Sequence, residues 1–216
     1  MRGFLTACLL VVAGCGAINA SIIFTPGNNP SNDVNILLNA GQSGVEVTGT
    51  PDGISGIIVD FTSTETLLEP SAGQARVADD PEGNPLTNLT IATNGFTYTD
   101  LIINPFIGGQ CPTCTGGAST ITVNALNSSG QPEAPVVFTG LNIGNGNNFL
   151  TIVATGGESI VSTTISDPGG FNDLQQPRIS GPFAAVPEPA TWALIPFGLM
   201  AGLVLRRMRC RIPRSE

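Results

Sequence analysis

The chain has 216 residues, with eight arginines, sixteen carboxylates, no lysine and no histidine, for a net charge of −8. Without imidazole or amine side chains it lacks Ser-His-Asp, Cys-His and Ser-Lys pairs and any lysine Schiff base. The acidity argues against nucleic acid and anionic membrane surfaces as partners, because both select for cationic faces.

Met1 to Ala20 carries one positive charge at Arg2, an apolar run from Phe4 to Ala13, and Ile18-Asn19-Ala20, which offers a small residue at the cleavage position. That order is the pattern of a secretory signal peptide (residues 1–20), with cleavage expected before Ser21. Val12-Ala13-Gly14-Cys15 offers a rival, a loose lipoprotein box that would leave lipid on Cys15. Either route exports the chain.

Residues 21–185 are long enough for one domain with its own core. Two arginines, Arg76 and Arg178, face fourteen carboxylates there, a net charge of −12. Short runs of Val, Ile, Thr and Phe alternate with Gly, Asn, Asp and Pro clusters, which predicts an all-β domain, a single β-sandwich of jelly-roll-like type. Strands are expected at Val34–Leu38, Val45–Thr48, Gly56–Thr62, Ala75–Ala78, Leu86–Thr93 and Thr97–Ile103. Others are expected at Ser119–Leu126, Val136–Gly140, Phe149–Ala154, Ser159–Ile165 and Gln176–Ile179. In Thr120-Ile121-Thr122-Val123-Asn124-Ala125 the alternation puts isoleucine, valine and alanine on one face. No stretch of the body sustains a helical period over three turns.

Within this body, Asp80, Glu82 and Asn84 place oxygen ligands at alternate positions, as in the first half of a calcium loop. The spacing then departs from an EF-hand, since the twelfth position is Ile91. Asp167-Pro168-Gly169-Gly170 with Asp173 is a second calcium candidate, and turn chemistry alone accounts for both stretches. No other cofactor is expected. Cys111-Pro112-Thr113-Cys114 supplies two of the four ligands that a zinc site needs and does not open a helix, so it reads as a local disulfide. Arg178 is expected to pair with a carboxylate such as Asp173.

Beyond Val186 the composition changes. Pro187-Glu188-Pro189 precedes sixteen uncharged residues, 190–205, and Arg206, Arg207, Arg209 and Arg211 follow. Sixteen residues span ~24 Å as a helix, a short transmembrane segment for a hydrocarbon core of ~30 Å. The arginines are expected to stay cytoplasmic and leave the body outside. The prolines around Glu188 can continue neither a helix nor a ladder, so they make a stiff extended stub of the kind a protease cleft reads.

This order over residues 186–216 resembles the PEP-CTERM sorting signal of Gram-negative bacteria. The resemblance implies processing by an exosortase, with Pro187, Glu188 and Pro189 as recognition element and the arginines as retention element. It implies the Sec translocon and the exosortase as partners during export, and membrane anchoring followed by delivery to the cell surface or exterior. Asn145-Gly146-Asn147-Asn148-Phe149 and the later Phe171-Asn172-Asp173-Leu174 and Pro177-Arg178-Ile179 also look like the closing segment of β proteins that carry this signal. From that likeness two strands are expected to close the sheet. The family goes with exopolysaccharide and biofilm, which implies a non-catalytic structural or adhesive protein. The alternatives are a carbohydrate-binding module, for which Tyr98 is the body's one Tyr or Trp, and a hydrolase resting on paired carboxylates.

Overall fold

The computed structural model describes residues 21–38, 41–70, 73–74, 76–181 and 183. The signal peptide over 1–20, Cys15, Pro187, Glu188, Pro189, the span 190–205 and the four arginines from Arg206 to Arg211 lie outside the described residues.

The described chain is all-β. Its strands are β1 (Ser21–Pro26), β2 (Val34–Leu38), β3 (Ser43–Pro51), β4 (Val59–Leu68), β5 (Gly73–Gln74), β6 (Arg76–Asp79) and β7 (Leu86–Thr93). They continue with β8 (Asp100–Ile107), β9 (Gly117–Leu126), β10 (Val136–Ile143), β11 (Gly146–Asn147), β12 (Leu150–Thr155), β13 (Ser159–Phe171) and β14 (Asp173–Ser180). The composition explains the type: β-branched and aromatic side chains fit a pleated, half-buried surface, and Gly, Asn and Pro clusters end each run.

The strands form one antiparallel sheet in the order β1-β12-β8-β14-β2-β3-β4-β7-β13-β9-β10. β11 pairs with β8, β5 with β2, and β6 joins β14 to β4. The last link closes a ring, β14-β2-β3-β4-β6. The two end strands also come together: the Phe24 ring of β1 lies 5.2 Å from the Phe138 ring of β10. The sheet therefore wraps around its own core, which reduces the open edge a flat sheet would present.

Alternation decides which side chains fill that core. On β9, Ile121 and Val123 are fully buried, and on β4, Val59, Phe61 and Leu67 are. Each such side chain contributes about 1.5–3 kcal/mol by leaving water. Tyr98 sits in the middle. Its backbone N–H and C=O pair with Ile160 at 3.0 and 2.7 Å, and its hydroxyl bonds Thr163 Oγ1 at 2.9 Å. Burial pushes the phenol up, so it stays neutral.

Several expectations shift. β2 and β7 have the expected bounds, and β1 was not foreseen. Ile57 and Ile58 precede β4 rather than join it: Gly56 turns the chain at φ +80° and Ile57 buries itself from the loop. The strand expected at Thr97–Ile103 begins at Asp100 and runs on through Pro105 to Ile107, with Tyr98 held outside it by a single bridge. Asp167 to Gly170 lies inside β13 as an irregular stretch, where the register with β7 jumps from Ser166 to Phe171. β14 does not close the sheet. It lies between β8 and β2, in the interior of the order, because its apolar residues Leu174 and Ile179 are wholly buried.

Candidate functional site

Three stretches meet at one end of the sheet: the connection from β6 to β7, the connection from β8 to β9, and the irregular part of β13. Together they hold most of the body's chemically distinctive residues. A Cβ on Gly83 would lie 2.9 Å from the Gln110 carbonyl oxygen, so the first two connections are in close contact. Thr115 and Gly116 donate backbone N–H bonds to the carbonyls of Gly169 and Gly170 at 3.0 and 3.2 Å, which ties in the third. Gly170 has φ +67°, and a Cβ there would sit 2.3 Å from Pro85 Cβ. Only glycine fits.

Arg76, at the start of β6, organises the cluster. Its Nε donates to Asp173 Oδ2 at 2.6 Å, and its Nη2 donates to Glu82 and, at 3.1 Å, to Gln110 Oε1. Asp173 is wholly buried at the first position of β14, where its backbone faces Ala78 of β6 and Phe106 of β8. Asn172 Nδ2 also donates to Asp173 Oδ2, at 2.9 Å. Burial pushes the Asp173 carboxyl above its ordinary value, and the Arg76 guanidinium pulls it part of the way back. The partner expected for Asp173, Arg178, is elsewhere: its guanidinium donates to Asn28 Oδ1 at 3.2 Å. An extra residue at Gln176, φ 52°, shifts the register of β14 on β8, so Asp173 and Arg178 share a face but sit opposite Phe106 and Ile102, about 13 Å apart along the strand.

The calcium candidates do not converge. Asp80 accepts from Ser43 Oγ at 2.7 Å, Glu82 is held by Arg76, and the Asn84 side chain bonds Asp79. The second candidate fares likewise. Asp167 is fully buried and accepts from Ser119 Oγ at 2.6 Å and from the Gly169 N–H at 2.8 Å, while Asp173 faces Arg76. Among the described residues no group of three or more carboxylates or cysteines is arranged to hold a metal ion. Alternate spacing in sequence suggested a ligand set because it ignores where each side chain finds its donor.

Cys111 and Cys114 are joined as a disulfide, with Cα atoms 5.3 Å apart and both residues buried. The bond pins the loop that carries Gln110 toward Arg76. Other carboxylates serve the sheet in the same way. Glu65 of β4 accepts the Thr87 N–H of β7 at 2.9 Å, and Asp100 accepts from the Ser180 hydroxyl across β8 and β14. The cluster is thus a tie between loops, in which Asp173 Oδ2 takes the bonds from Arg76 and Asn172 while Asp173 Oδ1 and Asn172 Oδ1 stay buried without a hydrogen bond.

Tyr98, the one candidate for stacking on a sugar ring, is wholly buried. Among the described residues no aromatic side chain is strongly exposed; the exposed large apolar residues are Ile23, Val45, Ile58 and Val137. Sequence reasoning overlooked Arg76. Its signal was available, since it is one of two cations among fourteen carboxylates, but only the strand order brings it to Asp173. No family model, no curated protein and no solved structure matches the chain.

Proposed function

We propose that this is an exported surface or matrix protein, passed through the Sec translocon and an exosortase, whose jelly-roll-like sandwich has a structural or adhesive role alongside exopolysaccharide. The observation that carries the reading is the order of Pro187-Glu188-Pro189, an uncharged segment and the arginine cluster. The use of the body's carboxylates supports a non-catalytic role. Asp173, Asp167, Glu65 and Asp100 each hold a neighbouring strand or loop by an accepted hydrogen bond, whereas glycoside hydrolysis needs two carboxyls facing a shared substrate. The burial of Tyr98 weighs against a carbohydrate-binding module of the aromatic-stacking kind. Fractionation of the native host tests the proposal. The protein is expected in the matrix fraction of the wild type and in the inner membrane of a strain lacking the exosortase; the same distribution in both strains would refute it.

A further inference from the structure

The register places an uncharged hydroxyl array on the outer face of the sheet. Thr164 of β13 is opposite Thr90 of β7 on one side and Thr122 of β9 on the other. Thr62 of β4 extends the row beyond Thr90, and Val137 of β10, 52% exposed, ends it beyond Thr122. The row above runs Asn88, Ser166, Thr120, and the row below runs Ala92, Ser162, Asn124. Their chain neighbours Leu89, Ile91, Ile121, Val123 and Ile165 fill the core, so these nine positions project outward. Neighbouring rows and strands repeat at about 6.8 and 4.8 Å.

Charge distinguishes this face from the rest of the domain. The body carries −12, yet none of the nine positions is ionisable. Acid resumes at its border, with Glu46 and Asp60 in the same rows on β3 and β4 and Glu65 of β4 against the Asn88 backbone. Uncharged hydroxyls lose water at far lower cost than carboxylates do. They both donate and accept, and several are already held in place across strands. Thr90 and Thr164 hydroxyls lie 2.8 Å apart, Asn124 Nδ2 donates to Ser162 Oγ at 2.9 Å, and Asn88 Nδ2 donates to Thr64 Oγ1 at 2.7 Å. Each hydroxyl retains capacity for an outside partner, and the fixed rotamers lower the ordering cost of binding.

We propose that this face, β7-β13-β9 with the adjoining parts of β4 and β10, binds single chains of an uncharged, hydroxyl-rich polysaccharide. A neutral glycan matches the donor-acceptor character and meets no unpaired charge, whereas an anionic one is repelled by the acidic border. Twist selects a chain over a crystalline plane. Adjacent strands rotate by about 20–25°, so a flat lattice would lose contact within about three strands while a flexible chain follows the surface. With no exposed aromatic to stack on, each contact is weak, and repetition along the chain supplies the affinity. The proposal rests on the exported-matrix reading for the presence of such a polymer.

The test is native affinity electrophoresis of the full chain in non-ionic detergent, through gels containing hydroxyethylcellulose, dextran or alginate. Wild type is expected to be retarded by a neutral polymer, with little change on adding salt, and not by alginate. The triple variant Thr90→Val, Thr164→Val, Thr122→Val keeps the β-branched shape and removes three hydroxyls. It is expected to raise the apparent Kd by roughly tenfold or more, with Thr25→Val on β1 as a control of unchanged retardation. Thermal melts by circular dichroism establish that both variants fold. Absence of retardation in both neutral gels, equal retardation of the folded triple variant, retardation by alginate alone, or adsorption only to microcrystalline cellulose would each overturn the proposal. Correct sorting in the native host together with any of these results would sink the face and leave the exported-matrix reading standing.

Discussion

Arg76 offers the sharpest test of how the loop end is held. Replacing it with methionine keeps most of the side-chain volume but leaves Asp173, wholly buried, without its cation. Removing one partner of a buried pair costs about 3–5 kcal/mol. The Arg76 side chain is 24% exposed, which places the loss at the lower end, about 3 kcal/mol. Glu82 also loses its partner, but at 34% exposure water replaces the bond at little cost. For a domain of this size the change corresponds to a fall in Tm of about 6–12 °C. The loss depends on pH. Without Arg76 the Asp173 carboxyl rises further above its ordinary value, so the folded variant takes up that proton more readily than the unfolded chain. Its deficit shrinks as pH falls from 7 to 5. Urea denaturation followed by circular dichroism at both pH values measures this, and Arg76→Met with Asp173→Leu is expected to recover much of the stability. A variant within about 0.5 kcal/mol of wild type at pH 7, the ordinary range for an inert surface change, or an equal deficit at both pH values would refute the reasoning.

Tyr98→Phe removes the hydroxyl that bonds Thr163 Oγ1 in the core and is expected to cost about 1–3 kcal/mol in chemical denaturation; an unchanged midpoint would show that the bond contributes nothing. Gly170→Ala forces a positive φ and meets Pro85, so it is expected to destabilise by more than about 1 kcal/mol, read as a lowered Tm. Burial is the first cause that raises the carboxyls of Asp60, Asp79 and Asp173, with Glu46 adding to the effect on Asp60. A raised carboxyl contributes stability below its unfolded value of about 3.9 and loses it as pH rises through the folded value. Lowering the pH toward that unfolded value is therefore expected to raise Tm in a pH-series of thermal melts, and a steady fall all the way to it would contradict the assignment.

The all-β class and most strand positions were legible in the sequence because short β-branched runs between turn residues admit little else. Val34–Leu38 and Leu86–Thr93 match to the residue. Partnership was not legible, since it depends on strand order. Arg178 and Asp173 are near in sequence, but the register sets them against Ile102 and Phe106, well apart along β8, while Arg76 reaches Asp173 only because β6 lies against β14. The same limit hid the hydroxyl face. Thr120-Ile121-Thr122-Val123 revealed which side was buried, but the alignment of Thr122 with Thr164 and Thr90 required the registers of three strands. Asp167-Pro168-Gly169-Gly170 has turn composition, and burial of Asp167 against Ser119 keeps it within β13.

The central claim, export and processing at the C-terminal signal, is tested most directly by the intact mass of the mature protein from its native host and from a strain lacking the exosortase. The account predicts a mass that begins at Ser21 and ends near Pro187–Pro189 in the wild type, and an uncleaved tail in the mutant. The same uncleaved tail in both strains would contradict it.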